Sequence, residues 1–161
     1  MTIRDIMTRN VVSCPKDLDI GAAARLMLQG RFGTLPVVDT NGKLAGIITD
    51  RDIAMAAATR DRKASEIAVH EAMTGSVRSC FADDDIRSGL KQMEEARIRR
   101  LPVIDGAGNL VGILSVDDVV RRALDRKGGI SSAVFVNVIA AICSRPAVEP
   151  DVAASEKSAA N

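Results

Sequence analysis

The chain has 161 residues and a mass of 17.1 kDa, and its 47% hydrophobic and 27% charged residues exclude wholesale disorder and suit one compact domain or two small halves sharing a core. A formal net charge of +1 gives no broad attraction to nucleic acid or to an anionic membrane, and with no Trp, no Tyr and three Phe the usual stacking platforms for single-stranded nucleic acid are missing. No secretory leader pattern and no apolar run of bilayer length is present, so a cytoplasmic protein is expected, with neither membrane nor nucleic acid as partner. Cys14, Cys80 and Cys143 are widely spaced and odd in number, which suits reduced thiols. With His70 the single histidine and no Cys-x-x-Cys, no metal site is expected.

In chain order, Ile3 to Met7 reads as a short helix and Val11-Val12-Ser13 as a short strand. Ile20, Ala23, Ala24, Met27 and Leu28 fall on one helical face, with Asp17 placed to cap it. Leu35 to Val38 and Leu44 to Ile48 are β-branched runs joined by Asn41-Gly42, a hairpin turn signal, and a second helix starts near Thr49. After a polar connection at residues 59 to 65 the order begins again: Glu66 to Met73 matches Ile3 to Met7, and Val77-Arg78-Ser79 the first strand. A helix follows through Ile86, Gly89, Leu90 and Met93, capped by Asp83 or Asp84, then Leu101 to Ile104, Leu110 to Leu114, and a helix striped by Val116, Val119, Val120, Ala123 and Leu124.

This second pass is a true internal repeat. Met7-Thr8 recurs as Met73-Thr74, a shift of 66 residues that also carries Leu35-Pro36-Val37-Val38-Asp39 onto Leu101-Pro102-Val103-Ile104-Asp105 without a gap. The expected fold is therefore α/β (α+β): two β-α-β-β-α units packed sheet to sheet about a pseudo-twofold axis, with clefts between them. Residues 1–62 and 63–127 would form the units, followed by a C-terminal apolar segment and a disordered tail over 128–161.

Gly46-Ile47-Ile48-Thr49-Asp50-Arg51-Asp52 and Gly112-Ile113-Leu114-Ser115-Val116-Asp117-Asp118 each put a hydroxyl three residues before a carboxylate at a strand-to-helix junction. Such a pair is a capping box, or, with the free N–H groups of the helix start, a seat for a phosphate and a ribose diol. Arg97, Arg99 and Arg100 form either a solvated run or a phosphate contact, and Arg51 is a further candidate. His70 has no nucleophile or carboxylate cluster in view, and no triad, Walker loop or metal cluster is found, so no catalytic residue is expected.

The succession of first strand, helix, Leu-Pro-Val-Val-Asp, Gly-Ile-Ile-Thr-x-x-Asp and helix resembles the cystathionine-β-synthase (CBS) domain, twice over about residues 1 to 127. That resemblance implies a regulatory pair, or Bateman module, which binds an adenosine nucleotide (AMP, ADP or ATP, ahead of S-adenosylmethionine or NAD) between its domains. It also implies the contacts: Asp52 and Asp118 for ribose, Thr49 and Ser115 as the hydroxyl positions, Val11 and Val77 against the adenine, Arg99 and Arg100 on phosphate. Gly33 and Thr34 replace those arginines in the first unit, so the two clefts should be unequal. The alternative is a ligand-free dimerisation or scaffold unit of the same fold. Either way a homodimer is expected, acting on a separate regulated protein of unknown identity. Val134, Phe135, Val136, Val138, Ile139 and Ile142 surround a lone Asn137 and should be covered, by the chain itself or by a second copy.

Overall fold

The computed structural model describes residues 1–124 and 132–144. In the first unit β1 (Cys14–Pro15) is followed by α1 (Ile20–Gly30), β2 (Thr34–Val38), β3 (Leu44–Thr49) and α2 (Asp50–Thr59). A short helix α3 (Val69–Ala72) leads into β4 (Cys80–Phe81), α4 (Ile86–Ala96), β5 (Arg100–Ile104), β6 (Leu110–Ser115) and α5 (Val116–Leu124). The last described helix is α6 (Ser132–Cys143). Each unit is a three-stranded sheet, β1-β2-β3 or β4-β5-β6, whose first pair is parallel and second antiparallel.

Strand alternation decides which face does what. Leu35, Val37 and Ile48 point to the helices and are fully buried, as are Leu101, Val103 and Leu114. Thr34, Ile47 and Thr49 therefore turn to the opposite face, toward the other unit. The hairpin turns at Gly42 and Gly108 have φ of 78° and 85°, a left-handed backbone that glycine adopts without strain. These two turns bond each other: Leu44 N–H donates to the Gly108 carbonyl at 3.2 Å, and Leu110 N–H to the Gly42 carbonyl at 3.4 Å.

Two local expectations are corrected. The first strands are not Val11-Val12-Ser13 and Val77-Arg78-Ser79 but the next residues, because pairing begins only where Cys14 meets Val37 and Cys80 meets Val103. The caps are not Asp17, Asp83 or Asp84. Asp19 accepts from the Ala22 N–H and Asp85 from the Arg87 N–H, since each directly precedes the first helical residue.

The segments that lead into the units are exchanged. Ile3 and Met7, in and after a short 3₁₀ turn at Ile3–Asp5, are buried in the core of the second unit with Met93, Leu101, Leu114 and Val119. Ile67 and Val69 are buried in the first unit with Ile20, Leu35 and Ile48. Backbone bonds fix both: Ile3 N–H to the Asp84 carbonyl at 2.9 Å and Arg4 N–H to Ala82 at 2.8 Å, matched by Ile20 N–H to Ile67 at 2.9 Å and Val69 N–H to Leu18 at 2.8 Å. Arg4 also forms a two-pronged ion pair with Asp83, at 2.9 and 3.1 Å. The hydrogen bond from Arg4 holds the Asp83 carboxyl below its ordinary value, so what this exposed pair adds is present at neutral pH and lost as pH falls through that lowered range.

Helix α6 lies against α4 and α5 and places Val138 in the second core, with Ile142 packed beside it. Val136 faces outward, 60% exposed. The side chains of Val134 and Phe135, and the tail expected to be disordered, lie outside the described residues. Because Ile3 is fully buried among second-unit residues, Ile3→Ala should cost about 2–5 kcal/mol of stability in urea denaturation, although the residue stands near the start of the chain. A loss below about 0.5 kcal/mol would place Ile3 outside the core.

Candidate functional site

Both junction pairs form capping boxes. Thr49 N–H and Oγ1 donate to Asp52 Oδ2 at 2.8 and 2.7 Å, and Asp52 N–H donates back to Thr49 Oγ1 at 3.2 Å. Ser115 and Asp118 repeat this, with Ser115 N–H donating to Asp118 Oδ2 at 2.8 Å. Each box uses one carboxylate oxygen and leaves Oδ1 for another partner.

What becomes of that second oxygen separates the halves. Thr8 Oγ1 donates to Asp118 Oδ1 at 3.0 Å, and Asp118 is the buried acid of its unit, 8% exposed. Asp52 is only half-buried, and among the described residues nothing donates to its Oδ1. Thr74, the repeat equivalent of Thr8, instead lines the space in front of Asp52.

That space is a cleft of about 520 Å³ between the units. The first unit contributes Thr34, Ile47, Thr49 and Asp52; the second contributes Ala96, Ile98, Arg99 and Arg100; the stretch before β4 contributes Thr74, Ser76, Val77 and Arg78. Five residues singled out from the sequence thus meet here: Thr49, Asp52, Val77, Arg99 and Arg100. Val11, Ser115 and Asp118 do not line it; they are the repeat equivalents of Val77, Thr49 and Asp52. Thr34, Ile47, Thr74, Ser76, Arg78, Ala96 and Ile98 were missed as lining residues. The alternation of β3 would have pointed to Ile47, because it shares a strand face with Thr49.

The cleft wall is aliphatic at Ile47, Val77 and Ile98 and carries the cationic residues Arg78, Arg99 and Arg100. Arg78 is paired with Glu95 at 3.3 Å, whereas no described carboxylate lies within ion-pair distance of Arg99 or Arg100. In the first unit the place of Arg99 is taken by Gly33, beside an acid. A Cβ at Gly33 would come 2.7 Å from Asp50 Oδ2, and the residue matching Asp50 in the second unit is Val116. Arg51 is exposed and does not line the cleft, nor does Arg97. His70 is also apart, its Nδ1 3.1 Å from the Lys16 carbonyl. Among the described residues no group of His, Cys, Asp and Glu could hold a metal ion, and no helix is long and apolar enough to cross a membrane.

A two-fold repeated sheet-and-helix unit with a cleft between the copies defines a class, and comparison gives it a name. The CBS domain family model matches residues 3–59 and 65–125, and the chain belongs to that family. It is 35% identical over 84% of its length to the CBS domain-containing protein YhcV of Bacillus subtilis, covering 95% of that relative. It is 36% identical over 74% of its length to a homoserine O-acetyltransferase of Methanococcoides burtonii, but spans only 24% of that longer enzyme. Among solved structures, a CBS domain pair in complex with 5′-methylthioadenosine and S-adenosyl-L-methionine matches at TM-score 0.70 and 28% identity, covering 78% of this chain and 98% of that one. CBSX2 in complex with AMP matches at TM-score 0.69 and 28% identity, with the same coverage of 78% and 98%.

Cys14 and Cys80 sit in the two cores, away from the cleft, and burial pushes their thiols up to about 11 and about 12. Both should stay unmodified by a thiol reagent at pH 8 in the folded protein and react once it is denatured, as mass spectrometry of the labelled chain would read. Rapid labelling of either in the native state would contradict this packing.

Proposed function

We propose that the protein is a non-catalytic regulatory module that binds an adenosine nucleotide in the cleft at Asp52 and answers by changing conformation or assembly. The observation that carries this reading is one juxtaposition: Asp52, whose Oδ1 has no donor among the described residues, lines the same mostly apolar cleft as Arg99 and Arg100, neither of which is ion-paired to a described carboxylate. A carboxylate suits a ribose diol, aliphatic walls at Ile47, Val77 and Ile98 suit a purine, and two guanidinium forks suit phosphate oxygens. AMP-bound and S-adenosylmethionine-bound relatives of the same fold support an adenosine ligand. The arginines favour AMP, ADP or ATP over S-adenosylmethionine, which brings a sulfonium cation and no phosphate.

Val11, Ser115 and Asp118 would form the lesser half-site, since Asp118 already serves Thr8 and no arginine stands at Gly33 or Thr34. The reading also makes the protein a homodimer acting on a separate partner. The buried, reduced Cys14 and Cys80 are in keeping with a cytoplasmic setting. A ligand-free scaffold is the second reading, favoured by the fact that capping alone accounts for both hydroxyl–carboxylate pairs.

Thermal-shift titration with AMP, ADP, ATP, adenosine, NAD and S-adenosylmethionine tests this, because a ligand at 100 times its Kd adds about 2.7 kcal/mol to the folded state. Asp52→Asn keeps a cap acceptor and should weaken nucleotide binding about tenfold, while Asp118→Asn should change it less. Arg100→Ala should weaken AMP and ATP about tenfold and leave adenosine nearly unchanged. No shift with any ligand at millimolar concentration sinks the nucleotide reading and leaves the scaffold.

A further inference from the structure

Three arginines line the cleft at Asp52, and one of them is already engaged. Arg78 Nη1 meets Glu95 Oε2 on α4 at 3.3 Å, whereas Arg99 and Arg100 have no such partner among the described residues. Glu95 does not itself line the cleft, although Ala96 beside it does. The pair belongs to the second unit alone, because the 66-residue shift puts Val12 and Gln29 at the equivalent places. Core packing does not account for it either, since the two side chains are 53% and 50% exposed.

Such a pair can open at little cost. An exposed ion pair contributes little to stability, and this one uses a single guanidinium nitrogen, unlike the two-pronged pair of Arg4 with Asp83. The other N–H groups of Arg78 have no acceptor among the described residues. Glu95 has a second cation within reach, Lys91 Nζ at 3.9 Å from its Oε1, one turn earlier on α4. If Arg78 turns away, the carboxylate keeps Lys91, and neither charge is stranded.

We infer that Arg78 reads the number of phosphates on the ligand, with Glu95 as the competitor that sets the threshold. Glu95 holds Arg78 while a nucleoside monophosphate fills the cleft, and a second or third phosphate draws it away. The inference rests on the nucleotide reading above and makes it specific, to a nucleoside di- or triphosphate over a monophosphate. Arg99 and Arg100 together match the charge of about −2 on a single phosphate group. Each further phosphate adds negative charge that these two do not balance, and Arg78 is the remaining cation among the described lining residues. A guanidinium fork that takes two phosphate oxygens replaces one contact with Glu95 by two.

Isothermal titration of AMP, ADP and ATP into the wild type, Arg78→Met, Glu95→Gln and Glu94→Gln tests this. Arg78→Met keeps an unbranched stem and should cut the ratio of ATP to AMP affinity about tenfold. Glu95→Gln removes the competitor and should raise that ratio about threefold, in line with the loss of one exposed ion pair. Glu94→Gln removes the same charge from the neighbouring position, which makes no ion pair with Arg78, and should leave the ratio nearly unchanged. Arg78 and Glu95 are half exposed, so these variants should keep the wild-type circular dichroism, and Glu95→Gln decides alone if Arg78→Met misfolds. A ratio that Arg78→Met leaves unchanged, or that Glu95→Gln and Glu94→Gln shift equally, overturns the phosphate count and leaves the nucleotide reading standing. No heat with any of the three ligands at millimolar concentration overturns the nucleotide reading, and this inference with it.

Discussion

Everything else in the molecule depends on the exchange of leading segments. The hydrophobic side of each three-stranded sheet needs more cover than its own two helices supply, and the missing pieces are Ile3 and Met7 on one unit and Ile67 and Val69 on the other. Because the covering residues lie just before the wrong unit in sequence, neither half can complete its core without its neighbour. The units are thereby locked in one relative position. A cleft built from residues of both halves is only as well defined as that lock, and the stretch that crosses over, through Thr74, Ser76 and Val77, is also part of the cleft wall.

The same crossing breaks the symmetry it creates. After Met7 the chain places Thr8 so that its hydroxyl reaches Asp118, and after Met73 it places Thr74 in front of Asp52 without using its carboxylate. Arg99 and Arg100 add charge to the cleft at Asp52, where the first unit has Gly33 and Thr34 at the equivalent places, with the Asp50 carboxylate 2.7 Å from where a Cβ at Gly33 would stand. Two nearly identical scaffolds thus end in one acid with an oxygen left over, Asp52, and one whose second oxygen accepts from Thr8, Asp118.

Much of this was legible from the residues. The constant shift of 66, the paired hairpins and the strand-to-helix junctions follow from patterns that recur locally, and the cleft-facing set Thr49, Asp52, Val77, Arg99 and Arg100 came from a family likeness carried residue by residue. What was not legible is non-local. Ile3 and Val69 look alike in sequence, and nothing near either of them says which core it enters. The sequence alone points to Asp17 as the cap, but the cap is Asp19, which directly precedes the first helical turn, a boundary that composition blurs. The hydrogen bond from Thr8 to Asp118 spans 110 residues, so no motif contains it. The location of α6 needed the three-dimensional groove between α4 and α5, since its own residues, apolar nearly all round, name no preferred side.

The tie between Thr8 and Asp118 has a consequence for how sharply such a protein can respond. Two equivalent clefts in one chain would allow the first occupancy to ease the second, and a steep response could arise within a single molecule. On the nucleotide reading proposed above, with Asp118 already bonded to Thr8, a lone chain would fill mainly at Asp52, and its occupancy would then rise close to a plain hyperbola over about two decades of ligand. On that reading any steepness beyond this would have to be produced between chains, with the gain in assembly and the chemistry in the cleft.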